Sequence, residues 1–346
     1  MINEFPLQWH ITVKCDQNCK HCYMRDEEFY ENQLKNPLSY EDIIKIIDMY
    51  LEFTDEWSFR KRIIFTGGDP LLRSDFFDIL KYTKEKDIPV DILGNPFHLN
   101  ESIVEKLEKL GVVSYQLSID GMRETHDSLR SKGSFDDTMR AIKLLKRSGI
   151  KVKIMFTISK KNEKDLLDVI DLVARLNVDL FAFTRLIPIG SGESLKKYVF
   201  TDLEYRSLLL KVIEKYRELK EKGFRTYFGR KSCDPWILLE RDLGLLLPED
   251  LEDEEKNLFL KRCPIGKHLC ILADGIVLSC RKLPIPIGKL PEQNFEEIIN
   301  SKKMKYIMED RGINRKKNCK RYVRGCAAMS YALTGDIRNP DPNCWC

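Results

Sequence analysis

Six times in succession a short, β-branched apolar run is followed by a longer stretch of helical period, and this alternation restricts the possible folds more than any other feature of the chain. QWHITVKC precedes Tyr40–Phe53, RIIFTGG precedes Phe76–Lys86, and VDILGN precedes Glu101–Leu110. VSYQLSIDG then leads into Phe135–Arg147, KVKIMFTIS into Glu163–Leu176, and LFAFTRLIP into a helix starting near Thr201. Strand-then-helix units in series require parallel strands with right-handed crossovers, here an α/β fold with a partial (βα)6 TIM-type barrel. Barrels of this kind place their chemistry at the C-terminal ends of the strands, where Cys15, Gly67–Pro70, Asn95, Ser118–Asp120 and Arg185 fall. The 346 residues leave room for a second, smaller unit. The reading is a barrel over 1–200, a helical linker over 201–261 and a cysteine-rich domain over 262–346. Within the linker, Tyr205–Lys222 has amphipathic period and Glu240–Lys261 is a charged, helical connector.

Lys and Arg number 58 against 54 Asp and Glu, a net charge of +4 without basic blocks, which argues against nucleic acid as the main partner. No apolar run approaches the length of a membrane span, and MINEFPLQWH lacks the layout of a signal peptide, so a cytoplasmic location is expected. Eleven cysteines in such a chain point to metal or cluster binding rather than to disulfides. Cys15-x3-Cys19-x2-Cys22 lies in the loop after the first strand. Three thiolates can hold three irons of a [4Fe-4S] cube and leave the fourth open, whereas a structural zinc site wants four closed ligands. His21 is the remaining zinc donor in that loop, and its position there is sterically awkward.

The spacing resembles the CxxxCxΦC signature of the radical S-adenosylmethionine (SAM) superfamily, with His21 at the aromatic position. Gly67-Gly68-Asp69-Pro70 resembles that family's GGEP segment, with Asp in place of Glu, which implies contact with the SAM amino group. Ser118-Ile119-Asp120-Gly121 is similar to its SxDG segment and Leu93-Gly94-Asn95 to its TNG segment. The resemblance implies that Ser118, Asp120 and Asn95 lie against SAM and that Arg130 and Arg185 pair with its carboxylate. Read from residue type alone, these segments are equally turns and helix caps. The family's chemistry implies reductive cleavage of SAM to methionine and a 5′-deoxyadenosyl radical that abstracts a substrate hydrogen, with an electron donor such as flavodoxin or ferredoxin.

Cys263-x6-Cys270-x9-Cys280, with Gly275-x4-Cys280, is followed by Cys319-x6-Cys326-x17-Cys344 and Cys346. This pattern, together with RGC at Arg324–Cys326 and DPNC at Asp341–Cys344, resembles the SPASM extension, which holds auxiliary iron–sulfur clusters. The resemblance implies one or two auxiliary [4Fe-4S] clusters, the first on Cys263, Cys270, Cys280 and Cys326. Cys319, Cys344, Cys346 and Cys233 are left for a second, and Tyr322 stands where the family has a further cysteine. An inert Cys233 and a zinc ribbon are the competing readings.

The SPASM resemblance implies first a peptide or protein substrate, crosslinked or otherwise modified after ribosomal synthesis. Only fourteen residues precede Cys15, so a leader peptide would be recognised by a separate protein or by the barrel rim. Sulfatase-type maturation ranks lower, because Arg281 follows Cys280 where an aspartate base is expected. Maturation of another enzyme's cofactor, a tungsten–pterin or a tetrapyrrole, is a third reading, and a non-catalytic iron–sulfur scaffold a fourth.

Overall fold

A computed structural model describes residues 4–25, 27–229, 236, 239, 243–244, 265–310 and 325–345. The Glu240–Lys261 connector, apart from 243–244, and Cys233, Cys263, Cys319 and Cys346 lie outside the described residues. Six strands arrive where the alternation predicts them: β1 (Glu4–Thr12), β2 (Arg60–Gly67), β3 (Val90–Leu93), β4 (Val112–Ser118), β5 (Lys151–Ile158) and β6 (Leu180–Arg185). They pair in parallel in sequence order, so the partial barrel is the observed fold. A short seventh strand, β7 (Tyr227–Gly229), adds in parallel to β6.

The intervening helices start where their polar residues can satisfy free backbone N–H groups. α1 (Glu27–Lys35) precedes α2 (Tyr40–Glu56), which Ser39 and Asp42 open with a reciprocal capping box. α3 (Phe76–Glu85), α4 (Glu101–Lys109, capped by Asn100), α5 (Arg123–Leu129), α6 (Ser134–Lys146) and α7 (Leu166–Arg175) follow. α8 (Asp202–Glu221) is opened by a Thr201–Glu204 capping box. Alternate strand residues such as Trp9, Phe65, Ile92, Leu117, Phe156 and Phe181 are fully buried in the main core. Burying an aliphatic or aromatic side chain of this kind contributes about 1.5–3 kcal/mol each.

The cysteine-rich segment joins the same sheet. β8 (Leu269–Ile271) pairs in parallel with β1, so that Cys270 stands opposite Gln8. β9 (Ile276–Leu278) and β10 (Pro286–Lys289) continue antiparallel, giving ten strands in all among the described residues. Gly275, in the β8–β9 turn, has φ +85°, and a Cβ there would lie 2.1 Å from the Leu290 carbonyl oxygen. The glycine of the Gly275-x4-Cys280 element is thus fixed by a tight turn. No helix among the described residues is long and apolar enough to cross a membrane.

Candidate active site

The loop after β1 is built around its cysteines by the ends of the neighbouring strands. Gly68 and Asp69 donate backbone N–H groups to Thr12 O and Lys14 O, both at 2.8 Å. A Cβ on Gly67 would fall 2.0 Å from Thr12 O, and one on Gly68 2.0 Å from Lys14 O. The glycine pair therefore lets the end of β2 close onto the cysteine loop. Asp69 caps the one-turn helix Pro70–Leu72 through Oδ1, which accepts from Leu71 N at 3.2 Å. Its Oδ2 is buried without a hydrogen-bond partner. Burial, partly offset by hydrogen bonds, pushes the Asp69 carboxyl up to about 7.

Gln17, also buried, holds the loop from within. Its amide donates to Ser134 Oγ at 3.1 Å, and its Oε1 lies 3.3 Å from Cys19 Sγ and 3.2 Å from the Arg130 guanidinium. Asn95, at the end of β3, donates to Asp16 Oδ1 at 2.9 Å and lies 3.4 Å from Cys15 Sγ. Asp120, fully buried after β4, accepts from Arg130 Nε at 2.5 Å and from Thr157 N at 2.7 Å, and faces His21 Nε2 at 3.2 Å. Burial alone would raise its carboxyl, but Arg130 and His21 hold it well below the usual carboxylate range. Arg130 in turn lies 3.7 Å from Cys19 Sγ.

Cys15, Cys19, Cys22, Gly67, Gly68, Asn95, Ser118, Arg130 and Arg185 line one cavity of about 170 Å³. Asp69, Pro70 and Asp120 sit behind that lining. Two residues hold partners other than those the sequence suggests. Asp120 has both carboxylate oxygens on protein groups. Arg185 is clamped by Asp341, at 2.8 Å to each oxygen, and by Asn343 Oδ1 at 2.9 Å. Each of these buried charges is matched by a charged partner within the protein.

The donor set fits an iron–sulfur cluster. Three free thiols converge, and burial pushes Cys19 up to about 11 and raises Cys15 as well, so a cation is what would bring them to thiolates. His21, the histidine of the cysteine loop, commits Nε2 to Asp120 at 3.2 Å. The orphaned Asp69 oxygen fits an ammonium group.

Of the C-terminal cysteines, Cys280 and Cys326 line a second cavity of about 380 Å³. Burial raises the Cys270 thiol, with Cys280 near enough to raise it further. Cys326 precedes the helix Ala327–Thr334, its N–H donating to Asp341 Oδ2 at 2.9 Å, and Cys344 N donates to Asp341 O at 2.9 Å. Sequence reasoning missed Gln17 and Asp341: an isolated buried amide leaves no pattern, and an aspartate in DPNC reads as a turn residue. Tyr23, one residue past Cys22, was also missed. Burial raises its phenol, Cys270, Cys22 and Cys280 lie near enough for each to raise it further, and the Arg281 guanidinium lies over its ring at 5.5 Å.

The family model described as the radical SAM superfamily matches residues 9–173, and the iron–sulfur cluster-binding domain model SPASM matches 263–327. The chain is 31% identical over 217 residues to Fe-coproporphyrin III synthase of Methanosarcina barkeri, covering 62% of this chain. It spans about half (52%) of that relative's length. It is 26% identical to the AdoMet-dependent heme synthase of the same organism, over 98% of this chain and 95% of the relative. It is also 26% identical to the mycofactocin maturase MftC of Mycolicibacterium smegmatis, over 98% and 82%. The solved structure of native anSMEcpe with bound AdoMet superposes with TM-score 0.73 at 16% identity, over 98% of this chain and 94% of that one.

Proposed function

We propose that this chain, a member of the radical SAM superfamily with a C-terminal SPASM domain, abstracts a hydrogen from a small anionic cofactor precursor, with a carboxylate-bearing tetrapyrrole as the first candidate. The cofactors of this family assignment are SAM and [4Fe-4S] clusters; bound together at the first site, they supply the radical that removes the substrate hydrogen. Cys15, Cys19 and Cys22 are the residues suited to hold that cluster, and Cys270, Cys280 and Cys326 belong to an auxiliary one. Asp69 Oδ2 is suited to receive the SAM ammonium. Arg130, fixed by Asp120 and Gln17, holds Cys19 in register and places a positive charge beside a site that gathers thiolates.

One observation carries the substrate class. Among the described residues lining the SAM-side cavity there is no Asp or Glu, while Arg25, Arg281 and Lys282 reach it together with Arg130 and Arg185, each of the latter two paired with a buried aspartate. The near full-length similarity to a heme synthase agrees with that charge and raises the cofactor reading above peptide maturation. The similarity to MftC over 98% of the chain keeps a peptide substrate as the second reading, in which a separate leader-binding protein would assist. The test is isotopic: anaerobic, reduced protein is given SAM and either perdeuterated iron-coproporphyrin III or a deuterated precursor peptide. Deuterium in 5′-deoxyadenosine from the tetrapyrrole alone is the expected result. Transfer from the peptide alone would replace this reading with the second.

A further inference from the structure

We infer that Asp16, Asp69 and His98 form a site for one divalent cation beside the cysteine loop, and that this cation and SAM exclude each other by competing for the Asp69 carboxylate. One ligand atom from each of the three residues lies within 4.8 Å of the other two. The exclusion rests on the reading above that Asp69 receives the SAM ammonium; the cation site itself stands on geometry alone. The three residues come from separate segments: Asp16 from the cysteine loop, Asp69 from the turn after β2, and His98 from the stretch between β3 and α4. Two of them are held from behind. Asn95 donates to Asp16 Oδ1 at 2.9 Å, which leaves Oδ2 facing His98 Nε2 at 2.7 Å. Arg140 of α6 binds the carbonyls of Pro96 and Leu99, at 3.3 and 2.5 Å, on either side of His98.

The buried member separates this cluster from a surface ion pair. Asp69 is fully buried; its Oδ1 accepts from Leu71 N, and its Oδ2 has no hydrogen-bond partner among the described residues. A carboxylate oxygen enclosed in this way lacks the positive neighbour that would offset its burial. Beyond the effect of burial, the Asp16 carboxylate pushes the Asp69 carboxyl further up, and His98 opposes it. A divalent cation answers both negative charges at once. Two carboxylates and one imidazole suit the first-row series from Mn2+ to Zn2+, and the imidazole would ligate through Nε2 with its hydrogen on Nδ1. Metal–ligand bonds of about 2.0–2.2 Å need the three donors to draw together slightly. Asp16 and His98 are exposed and free to make that adjustment, and water can complete the shell from the solvent side. Because Oδ2 is the unbonded oxygen of Asp69, an ion held there leaves no acceptor for an ammonium group.

The experiment is titration of anaerobic, iron-reconstituted and desalted protein with Mn2+, followed by loss of the six-line electron paramagnetic resonance signal of the free ion. Mn2+ is the probe because it favours oxygen and nitrogen over thiolate and so spares the cysteines. Wild type should take up one Mn2+ per chain, and His98→Ala and Asp69→Asn should each weaken that binding at least about tenfold. Saturating SAM should weaken Mn2+ about tenfold, and saturating Mn2+ should weaken SAM by the same factor, as linkage requires. In His98→Ala, SAM should bind as in wild type and no longer respond to Mn2+. Iron content reports whether each variant is intact; if Asp69→Asn loses iron, His98→Ala carries the comparison. No uptake by wild type, or uptake unchanged in intact His98→Ala, would refute the cation site and leave only a His98–Asp16 ion pair, with the SAM reading of Asp69 untouched. Uptake that depends on His98 but is indifferent to SAM, or strengthened by it, would refute the exclusion and with it the placement of the SAM ammonium on Asp69.

Discussion

The two cysteine regions are held in place by different means. Around Cys15, Cys19 and Cys22 the frame is a web of contacts from within the loop and from three strand ends, through Gln17, the Gly67–Gly68 backbone, Asn95, and Asp120 with its partner Arg130. Cys326 and Cys344 are instead tied to the barrel largely at one arginine, Arg185 of β6, which Asp341 and Asn343 both bind, Asp341 also accepting the Cys326 N–H. A distributed frame tolerates loss of one member better than a single buried ion pair does. The three-cysteine loop should thus be robust to its neighbours and intolerant of losing a cysteine, and the C-terminal region should be vulnerable at Asp341.

Four experiments break or sharpen that contrast. Cys19→Ala should reduce 5′-deoxyadenosine formation to background while circular dichroism shows the fold intact; unchanged cleavage would remove the first site from the account. Asp341→Ala strands a buried arginine and should lower stability by about 3–5 kcal/mol in denaturant titration. Iron should be lost from the C-terminal cysteines in this variant while some SAM cleavage survives. Gly68→Ala drives a methyl group into the Lys14 carbonyl and should lower stability by about 1–3 kcal/mol, with weaker retention of the first cluster.

The smallest effect belongs to Asp69. Its folded carboxyl titrates near 7, above the unfolded value of about 3.9, so the folded state holds the extra proton between those limits. Stability of SAM-free protein should then fall as pH rises from about 4 to about 7, and Asp69→Asn should flatten that slope in melting curves. The same variant should weaken SAM binding about tenfold by calorimetry, since it removes a charge-assisted bond to the ammonium.

Much of this was legible in the sequence, for reasons that differ by region. The strands and most helices follow from periodicity, including the start of α8 near Thr201. The cysteine loop was readable because ligand spacing is local. Long-range pairings were not: nothing near Arg185 signals that its partner lies at Asp341, and Arg130, after α5, and Arg185, at the end of β6, look alike until burial places each on a carboxylate. The Gly67–Gly68 pair was legible as a motif, but its close approach to the Thr12 and Lys14 carbonyls was not. The parallel pairing of β8 with β1 was also hidden, because three-residue strands carry too little period to be recognised.

The most direct measurement is 5′-deoxyadenosine, detected by mass after dithionite and SAM are added to anaerobically reconstituted wild-type protein with its iron counted. A radical enzyme with at least one auxiliary cluster should give product together with about eight or more irons per chain, at four per [4Fe-4S] cluster. Zinc in place of iron, or a full iron complement without product, would contradict it and leave a metal-binding scaffold.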